Sequence, residues 1–160
     1  MRLFSNIISG MFHPLLMVTY GVVLALTLTY LAIYPPAMKL LLAGGAFLST
    51  AVIPGAFIFM MVKNGAAVDM ELSDRHERVV PYLIFITSIM VCAFYMYKMM
   101  LPFWFISLLL GACVALILAL LINFFWKISA HAIGTGGLLG GIMGVARIHL
   151  INPYWAFIIV

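Results

Sequence analysis

The chain has 160 residues, of which 67% are hydrophobic and 8% are charged, and its formal net charge is +4. Soluble domains carry about 25% charged residues, so this composition excludes an ordinary soluble protein and predicts an all-α, polytopic membrane bundle. At roughly 20 residues a span, the length allows a single transmembrane domain of five or six spans. The basic residues stand singly near the ends of apolar runs, which is typical of membrane anchoring and does not suggest a nucleic-acid partner.

The predicted elements follow from prolines, glycines and charges. Residues 1–12 are predicted to form a short interfacial helix, and His13-Pro14 then opens the first span, which Pro35-Pro36 ends. Lys63-Asn64-Gly65 ends the second span, with glycine as the C-terminal cap. The predicted spans are about 13–34, 37–62, 81–98, 103–126, 129–147 and 153–160, and a polar loop occupies 63–80.

The last predicted span, 153–160, is about 8 residues long and cannot cross a hydrocarbon core of ~30 Å. We therefore expect the chain to be a piece of a longer protein that stops within a sixth span. The alternative is a short helix that lies partway in the membrane against its neighbours.

One short stretch carries half of the charged residues. All four acidic residues lie within 69–77, and Arg75, His76 and Arg78 accompany them. A charge at the bilayer centre costs about 2.5–3.5 kcal/mol on insertion scales. This stretch is therefore predicted to lie at a membrane surface or to line a polar cavity, where any chemistry is expected.

Span parity brings a second polar segment to the same face. The stretch 63–80 follows the second span and Lys127–His131 follows the fourth, so an even number of crossings separates them. Arg75, His76, Arg78, Ser129 and His131 can therefore converge, whereas Arg147 and His149 belong to the opposite face. His13 shares the convergent face, where we expect a structural role for it. With the N-terminus inside, five basic residues lie on the inner face and three on the outer face. If Arg75 and Arg78 belong to a site, the count is three against three, so the charges leave the orientation of the site undecided.

The converging residues suit an anionic group. Arg75 and Arg78 are three apart, so on a helical turn both guanidinium groups share one face and match a phosphate. The alternative is an ordinary loop in which the acidic neighbours neutralise both arginines. Ser129 is a good N-cap, and a helix N-terminus attracts anions. His131 would lie in that first turn, and histidine is the usual proton donor near neutral pH.

Two further sequence patterns are explained by packing within the bundle. The fifth span contains overlapping small-xxx-small pairs of glycines between Gly136 and Gly144, which favour close helix packing and leave open an exposure of backbone to a ligand near Gly134. Cys92 and Cys113 fall inside apolar runs, and we expect both to be buried free thiols.

At these residues the sequence resembles the type 2 phosphatidic acid phosphatase superfamily. That family carries the motifs Lys-x6-Arg-Pro, Pro-Ser-Gly-His and Ser-Arg-x5-His-x3-Asp. Ile128-Ser129-Ala130-His131 matches the second motif at serine and histidine. The segment from Arg75 to Pro81 resembles a loosened first motif, with two valines between arginine and proline and Glu71 at the lysine position. The third motif is absent, because Arg147-Ile148-His149 has the wrong spacing and lies on the wrong face.

The resemblance implies an integral membrane phosphatase, of a bacterial inner membrane, that acts on a lipid phosphate or an isoprenoid diphosphate without metal or other cofactor. It implies that His131 protonates the leaving group and that Arg75, Arg78 and Ser129 hold phosphate oxygens. The family's third-motif histidine is the nucleophile, and we expect it in an extension beyond Val160.

Two other functions stay open. One is a non-catalytic membrane protein that binds an anionic lipid headgroup or acts as a structural partner. The other is a metal-dependent transferase in which Asp69, Glu71 and Asp74 hold Mg²⁺. The second needs a carboxylate cluster for which the two arginines would compete.

Overall fold

The computed structural model describes residues 13–65, 78–126 and 128–149, which form helices and turns and no strand. The order of the helices is α1, α2, α3, α4 and α5, with the 3₁₀ turn Tyr30–Ile33 between the first two. Their bounds are Pro14–Leu28, Pro36–Lys63, Val79–Lys98, Phe103–Asn123 and Ala130–His149. The predicted interfacial helix over 1–12, most of the polar loop 63–80 and the partial span 153–160 lie outside the described residues.

Helix ends follow the predicted punctuation, with one clear difference. Gly65 has φ of +70°, where glycine carries no steric penalty, and its N–H bonds the carbonyl of Val62, so the predicted glycine cap of α2 is confirmed. The first predicted span, 13–34, is instead interrupted at Thr29. This residue is extended, and its Oγ1 accepts from the N–H of Leu31 and donates to the carbonyl of Ala25. A side chain that bonds nearby backbone in this way competes with the helix.

The α2 helix contains an irregular turn that the sequence patterns do not predict. Residues Leu48–Val52 form a π turn, in which the N–H of Ile53 bonds the carbonyl of Leu48. Pro54 follows immediately and has no N–H to continue the regular ladder. A locally widened turn therefore accommodates the proline while the helix runs on to Lys63.

Among the described residues, three helices are long and apolar enough to cross a membrane. These are α2, α3 and α4, with 28, 20 and 21 residues and mean hydropathies of 1.9, 2.1 and 3.0. The α1 helix is also apolar but has only 15 residues. The described part of the chain is thus all-helical and indicates a membrane protein, as its composition predicts.

The core lies between α1, α2, α3 and α4. Leu42 of α2, Ile89 and Met96 of α3 and Phe105 of α4 are almost fully buried there. The α5 helix joins along a separate seam, where Leu138 and its neighbour Ile142 pack on α1. Cys92 and Cys113 are buried free thiols in this core, as predicted.

Each end of the bundle has a hydrogen bond that joins two chain segments. At one end, the indole Nε1 of Trp104, in the first turn of α4, donates to the hydroxyl of Tyr30 at 2.9 Å. At the other end, Arg78 before α3 bonds the carbonyl of Ile128 before α5. We call this second end the polar end, defined by His13, Arg78, Ser129 and His131.

Candidate functional site at the polar end of the bundle

Arg78 joins the start of α3 to the start of α5. Its Nη1 donates to the carbonyl oxygen of Ile128, fifty residues along the chain, and only 8% of the residue is exposed. A guanidinium group has five N–H donors in a rigid fork, so it can tie two chain segments together. The structure therefore brings Arg78 next to the helix that carries Ser129 and His131, which is the convergence that span parity predicts.

Ser129 caps α5. Its Oγ accepts a hydrogen bond from the N–H of Ala132 at 3.3 Å, which confirms the predicted N-cap. His131 is the second residue of the helix and thus lies in its first turn. Its carbonyl accepts from the hydroxyl of Thr135 at 2.9 Å. The histidine is held where the helix N-terminus carries partial positive charge.

The ring of His131 faces another histidine. Its centroid lies 6.1 Å from that of His13, and the two ring planes meet at 70° in an edge-to-face arrangement. His13 caps α1, and its Nδ1 accepts from the N–H of Leu15 at 3.4 Å. Gly134 allows this approach, since a Cβ there would lie 3.0 Å from Cγ of Met17 and 3.3 Å from Cα of Pro14.

Tyr82 lies one helical turn beyond Arg78. Only 7% of this residue is exposed, and its hydroxyl lies within the electrostatic reach of the Arg78 guanidinium. The hydroxyl has no hydrogen-bond partner of regular geometry among the described residues. The Nε2 of His131 is also buried without a hydrogen-bond partner there. Unpaired buried polar atoms cost about 1–3 kcal/mol each, so two of them at one end of the bundle mark a place suited to a polar ligand.

An apolar cavity runs from the polar end into the bundle. Its volume is about 140 Å³, and it lies between α1, α3, α4 and α5. Pro14, Tyr82 and Ala130 line it at the polar end. Leu28 and Val145, near the far ends of α1 and α5, line it at the other. The residues that line the cavity are almost all apolar, and Tyr82 is among them.

The polar end therefore combines residues that sequence reasoning found with others that it missed. Arg78, Ser129 and His131 are brought together, while Arg75 lies outside the described residues. Sequence reasoning overlooked Tyr82, although its position four residues after Arg78 places it on the same helical face. It also set His13 aside as structural, although span parity already placed it on the convergent face.

No three His, Cys, Asp or Glu side chains of residues 13–65, 78–126 and 128–149 come together as a group that could hold a metal ion. The carboxylates of the magnesium alternative all lie within 69–77, outside those residues. Comparison of the chain with protein-family models, with curated proteins and with solved structures finds no match. The functional argument therefore rests on the chain's own residues.

Proposed function

We propose that the protein is an integral membrane phosphatase that acts on a lipid phosphate or a lipid diphosphate by metal-independent phosphoryl transfer to histidine. The observation that carries the proposal is an apolar cavity that reaches the polar end of the bundle, where Tyr82 and His131 each have a buried polar atom without a hydrogen-bond partner among the described residues. A lipid phosphate has the same two parts, a hydrocarbon chain and one anionic group. The first carbons of the chain would occupy the cavity, and the phosphate would lie at the polar end.

The location of the protein follows from the same proposal. A multi-pass protein of a bacterial inner membrane, with five or six spans, would meet such a lipid within the bilayer. The three long apolar helices support membrane insertion. The polar end would then lie at one membrane surface, at the level of the lipid headgroups, where a phosphate is found.

The site residues would divide the work at the phosphate. The N-terminus of α5, with Ser129 as its cap, would stabilise the phosphate oxygens. Arg75 and Arg78 would supply guanidinium groups to the same oxygens. His131, in the first turn of that helix, would act as general acid. Each of these roles uses the chemistry that is characteristic of the residue.

The proposed reaction proceeds in two steps. In the first, a histidine nitrogen bonds to phosphorus while the bond from phosphorus to the lipid oxygen breaks, and His131 gives its proton to that oxygen. In the second, His131 takes a proton from water as the water oxygen bonds to phosphorus and the phosphorus–nitrogen bond breaks. The products are a lipid alcohol and inorganic phosphate from a lipid monophosphate. The nucleophilic histidine belongs to the third motif, which this chain does not match.

A second candidate is a non-catalytic protein that binds an anionic lipid headgroup. One observation favours it. Arg78 is buried and donates to the carbonyl of Ile128, so part of its hydrogen bonding serves to join two helices. A site that binds phosphate without a matched nucleophile would retain the ligand unchanged.

Phosphate release from a lipid substrate tests the proposal. We expect the full-length natural protein, purified into lipid nanodiscs, to release inorganic phosphate from a lipid monophosphate with EDTA present. His131→Ala should slow release by about 10²–10⁴-fold, the usual contribution of positioned acid catalysis. His149→Ala is the matched control, because it removes a histidine from the opposite end of the same helix and should leave the rate unchanged.

Binding of a non-hydrolysable analogue separates the two candidates. Dodecylphosphonate has a hydrocarbon chain and a phosphate-like group that cannot be cleaved. Binding of this analogue without any phosphate release from a lipid phosphate would favour the non-catalytic candidate. Release that stops in EDTA would contradict the metal-independent mechanism. If the protein showed neither binding of the analogue nor release of phosphate, both candidates would be contradicted.

A further inference from the structure

We infer that a gap between α4 and α5 is a lateral opening through which one hydrocarbon chain of a membrane lipid enters the cavity. The gap lies where Ala115 of α4 faces Gly137 of α5, and both residues line the cavity. The inference deepens the proposed function, on which it rests for the identity of that lipid as the substrate. It assigns to the substrate a route into the bundle and to its chain a place there.

The register of the two helices places Ala115 and Gly137 opposite each other. The α4 helix runs toward the polar end and α5 runs away from it, so the two are antiparallel. A Cβ at Gly144 would lie 3.9 Å from Cδ2 of Leu108, which identifies one level at which the helices meet. Ala115 is seven residues after Leu108, and Gly137 is seven residues before Gly144. Seven residues make about two helical turns, so Ala115 and Gly137 share a level on the facing sides of the helices.

The two helices do not close against each other at this level. Ala115 and Gly137 are both exposed, whereas every other described residue that lines the cavity is buried or half-buried. A Cβ built on Gly137 would meet no atom of the described residues within 4 Å. The cavity therefore opens to the outside of the bundle between these two small residues.

The opening faces the hydrocarbon of the bilayer. Ala115 lies near the middle of α4, which has 21 residues and a mean hydropathy of 3.0. A helix of that length spans a hydrocarbon core of ~30 Å, so its middle lies among lipid chains. Val114 and Leu118, on the outer side of the same helix, are exposed apolar side chains. A lipid chain is therefore the molecule that meets the opening.

The dimensions of the cavity suit the first part of one chain. Gly137 is seven residues after Ala130, so the opening lies about 10 Å along α5 from the polar end. The cavity volume of about 140 Å³ is close to that of an engineered apolar cavity in another protein, which stays dry and binds benzene. A lipid with its headgroup at the polar end would therefore place its first carbons in the cavity. The rest of the chain would leave through the opening into the bilayer.

A buried polar group near the polar end gives the chain its direction. Tyr82 lines the cavity, is 7% exposed, and has a hydroxyl without a hydrogen-bond partner of regular geometry among the described residues. Its hydroxyl lies within the electrostatic reach of Arg78, which belongs to the polar end. A lipid headgroup supplies the acceptor that this hydroxyl lacks, whereas a hydrocarbon chain does not. The headgroup therefore lies near Tyr82, and the chain extends toward the opening.

Photolabelling from inside the cavity tests the inference without relying on phosphate binding. The probe is hexadecan-1-ol with a photoreactive diazirine at its eighth carbon, added to the full chain in lipid nanodiscs. Val22 and Phe85 line the cavity and are only 2% and 8% exposed, so a probe chain reaches them only from within it. We expect mass spectrometry to find label on at least one of these two residues. Val114, which is 56% exposed on the outer side of α4, should be labelled from the bilayer in every sample.

Leucine at either side of the gap should close it. Gly137→Leu places a side chain where the wild type has open space, so the melting temperature should not fall. Because a filled space excludes a chain, label on the two buried residues should fall about tenfold or more. Ala115→Leu, on the facing helix, should give the same loss. Gly140→Leu is the matched control, since Gly140 is also exposed and a Cβ there also meets no described atom within 4 Å, but it does not line the cavity.

The outcomes distinguish this inference from the proposed function. Label on Val114 alone in the wild type, or label on the buried residues that persists in Gly137→Leu, would overturn the lateral opening. A melting temperature that falls in Gly137→Leu but not in Gly140→Leu would also overturn it, because another segment of the protein would then fill the gap. Dodecylphosphonate binding would still support the proposed function in each of these cases. Label on the buried residues of a protein that does not bind dodecylphosphonate would support the opening and contradict the proposed function.

Discussion

Arg78 has a structural role that its neighbours in the sequence do not indicate. The sequence offers two interpretations of this arginine, a phosphate ligand or a member of a salt-bridged loop. The structure shows a contact that neither interpretation includes, a hydrogen bond to the carbonyl of Ile128 just before α5. A guanidinium that bonds a carbonyl in a place shielded from water stabilises the junction of two helices and brings positive charge to the α5 N-terminus. The same residue can therefore build the site and attract its ligand.

Tyr82 allows a test that separates stability from binding. Tyr82→Phe removes the hydroxyl and keeps the ring that packs in the core. Because the hydroxyl lacks a regular partner among the described residues, its removal should leave the melting temperature unchanged or raise it slightly. Affinity for dodecylphosphonate should fall several-fold, because the ligand loses a donor. Thermal unfolding and calorimetric titration of the same sample measure both quantities.

The opposite pattern would contradict this account of the tyrosine. If Tyr82→Phe lowered the melting temperature and left affinity unchanged, the hydroxyl would serve the interaction with Arg78 alone. Tyr95→Phe is a suitable control. That hydroxyl has a partner, the carbonyl of Leu41 at 3.3 Å, and lies away from the polar end.

At the scale of helices, the seam between α1 and α5 holds the site together. Met17, Leu138 and Ile142 are buried along it. The histidines lie at its end, so their separation depends on how closely the helices pack. A Cβ at Gly134 would lie 3.0 Å from Cγ of Met17, whereas a methyl group added at Gly140 on the same helix would meet no atom of the described residues within 4 Å. The glycines of α5 are therefore not equivalent.

Gly134→Ala should loosen this seam. Its Cβ would meet the Cα of Pro14 at 3.3 Å, and backbone atoms give way less easily than side-chain ends. We expect a lower melting temperature and weaker dodecylphosphonate binding, because α1 and α5 move apart at the polar end. Gly140→Ala should instead stabilise the protein by up to about 1 kcal/mol, since alanine favours helix and its methyl group meets no atom of the described residues. Equal effects of the two variants would show that the seam does not set the geometry of the site.

Helix existence was more predictable than helix detail, for physical reasons. Apolar runs of about 20 residues and bounding prolines predict α3 and α4 closely, because both signals are local. The break at Thr29 depends on hydrogen bonds of one side chain to nearby backbone, which hydropathy does not register. The π turn before Pro54 accommodates a residue that has no N–H, and apolar patterning does not show how the hydrogen bonds of α2 adjust to it. Both features depend on individual hydrogen bonds, which apolar patterning does not indicate.

At the scale of the whole molecule, the convergence of Arg78, Ser129 and His131 was predictable from counting spans. Helices that alternate in direction bring every second connection to the same end, whatever the packing details. The His13–His131 contact and the position of Tyr82 were less accessible, because they depend on which helices are neighbours. Span parity states which end a residue occupies but not which helix lies beside it. The cavity between α1, α3, α4 and α5 is likewise a property of their packing.

The two ends of the bundle make a prediction about membrane sidedness. Asn64 and Trp126 follow α2 and α4 toward the polar end, whereas Lys39 and Lys98 lie toward the end where Trp104 bonds Tyr30. The α3 helix of 20 residues separates the ends by ~30 Å, which matches the hydrocarbon core of a bilayer. With both native cysteines replaced by alanine, single cysteines at positions 64 and 126 should react with an impermeant maleimide from one side of sealed vesicles. Cysteines at positions 39 and 98 should react only from the other side. Labelling of positions 64 and 126 from opposite sides would contradict the bundle arrangement. It would also contradict the single polar end on which the phosphate site depends.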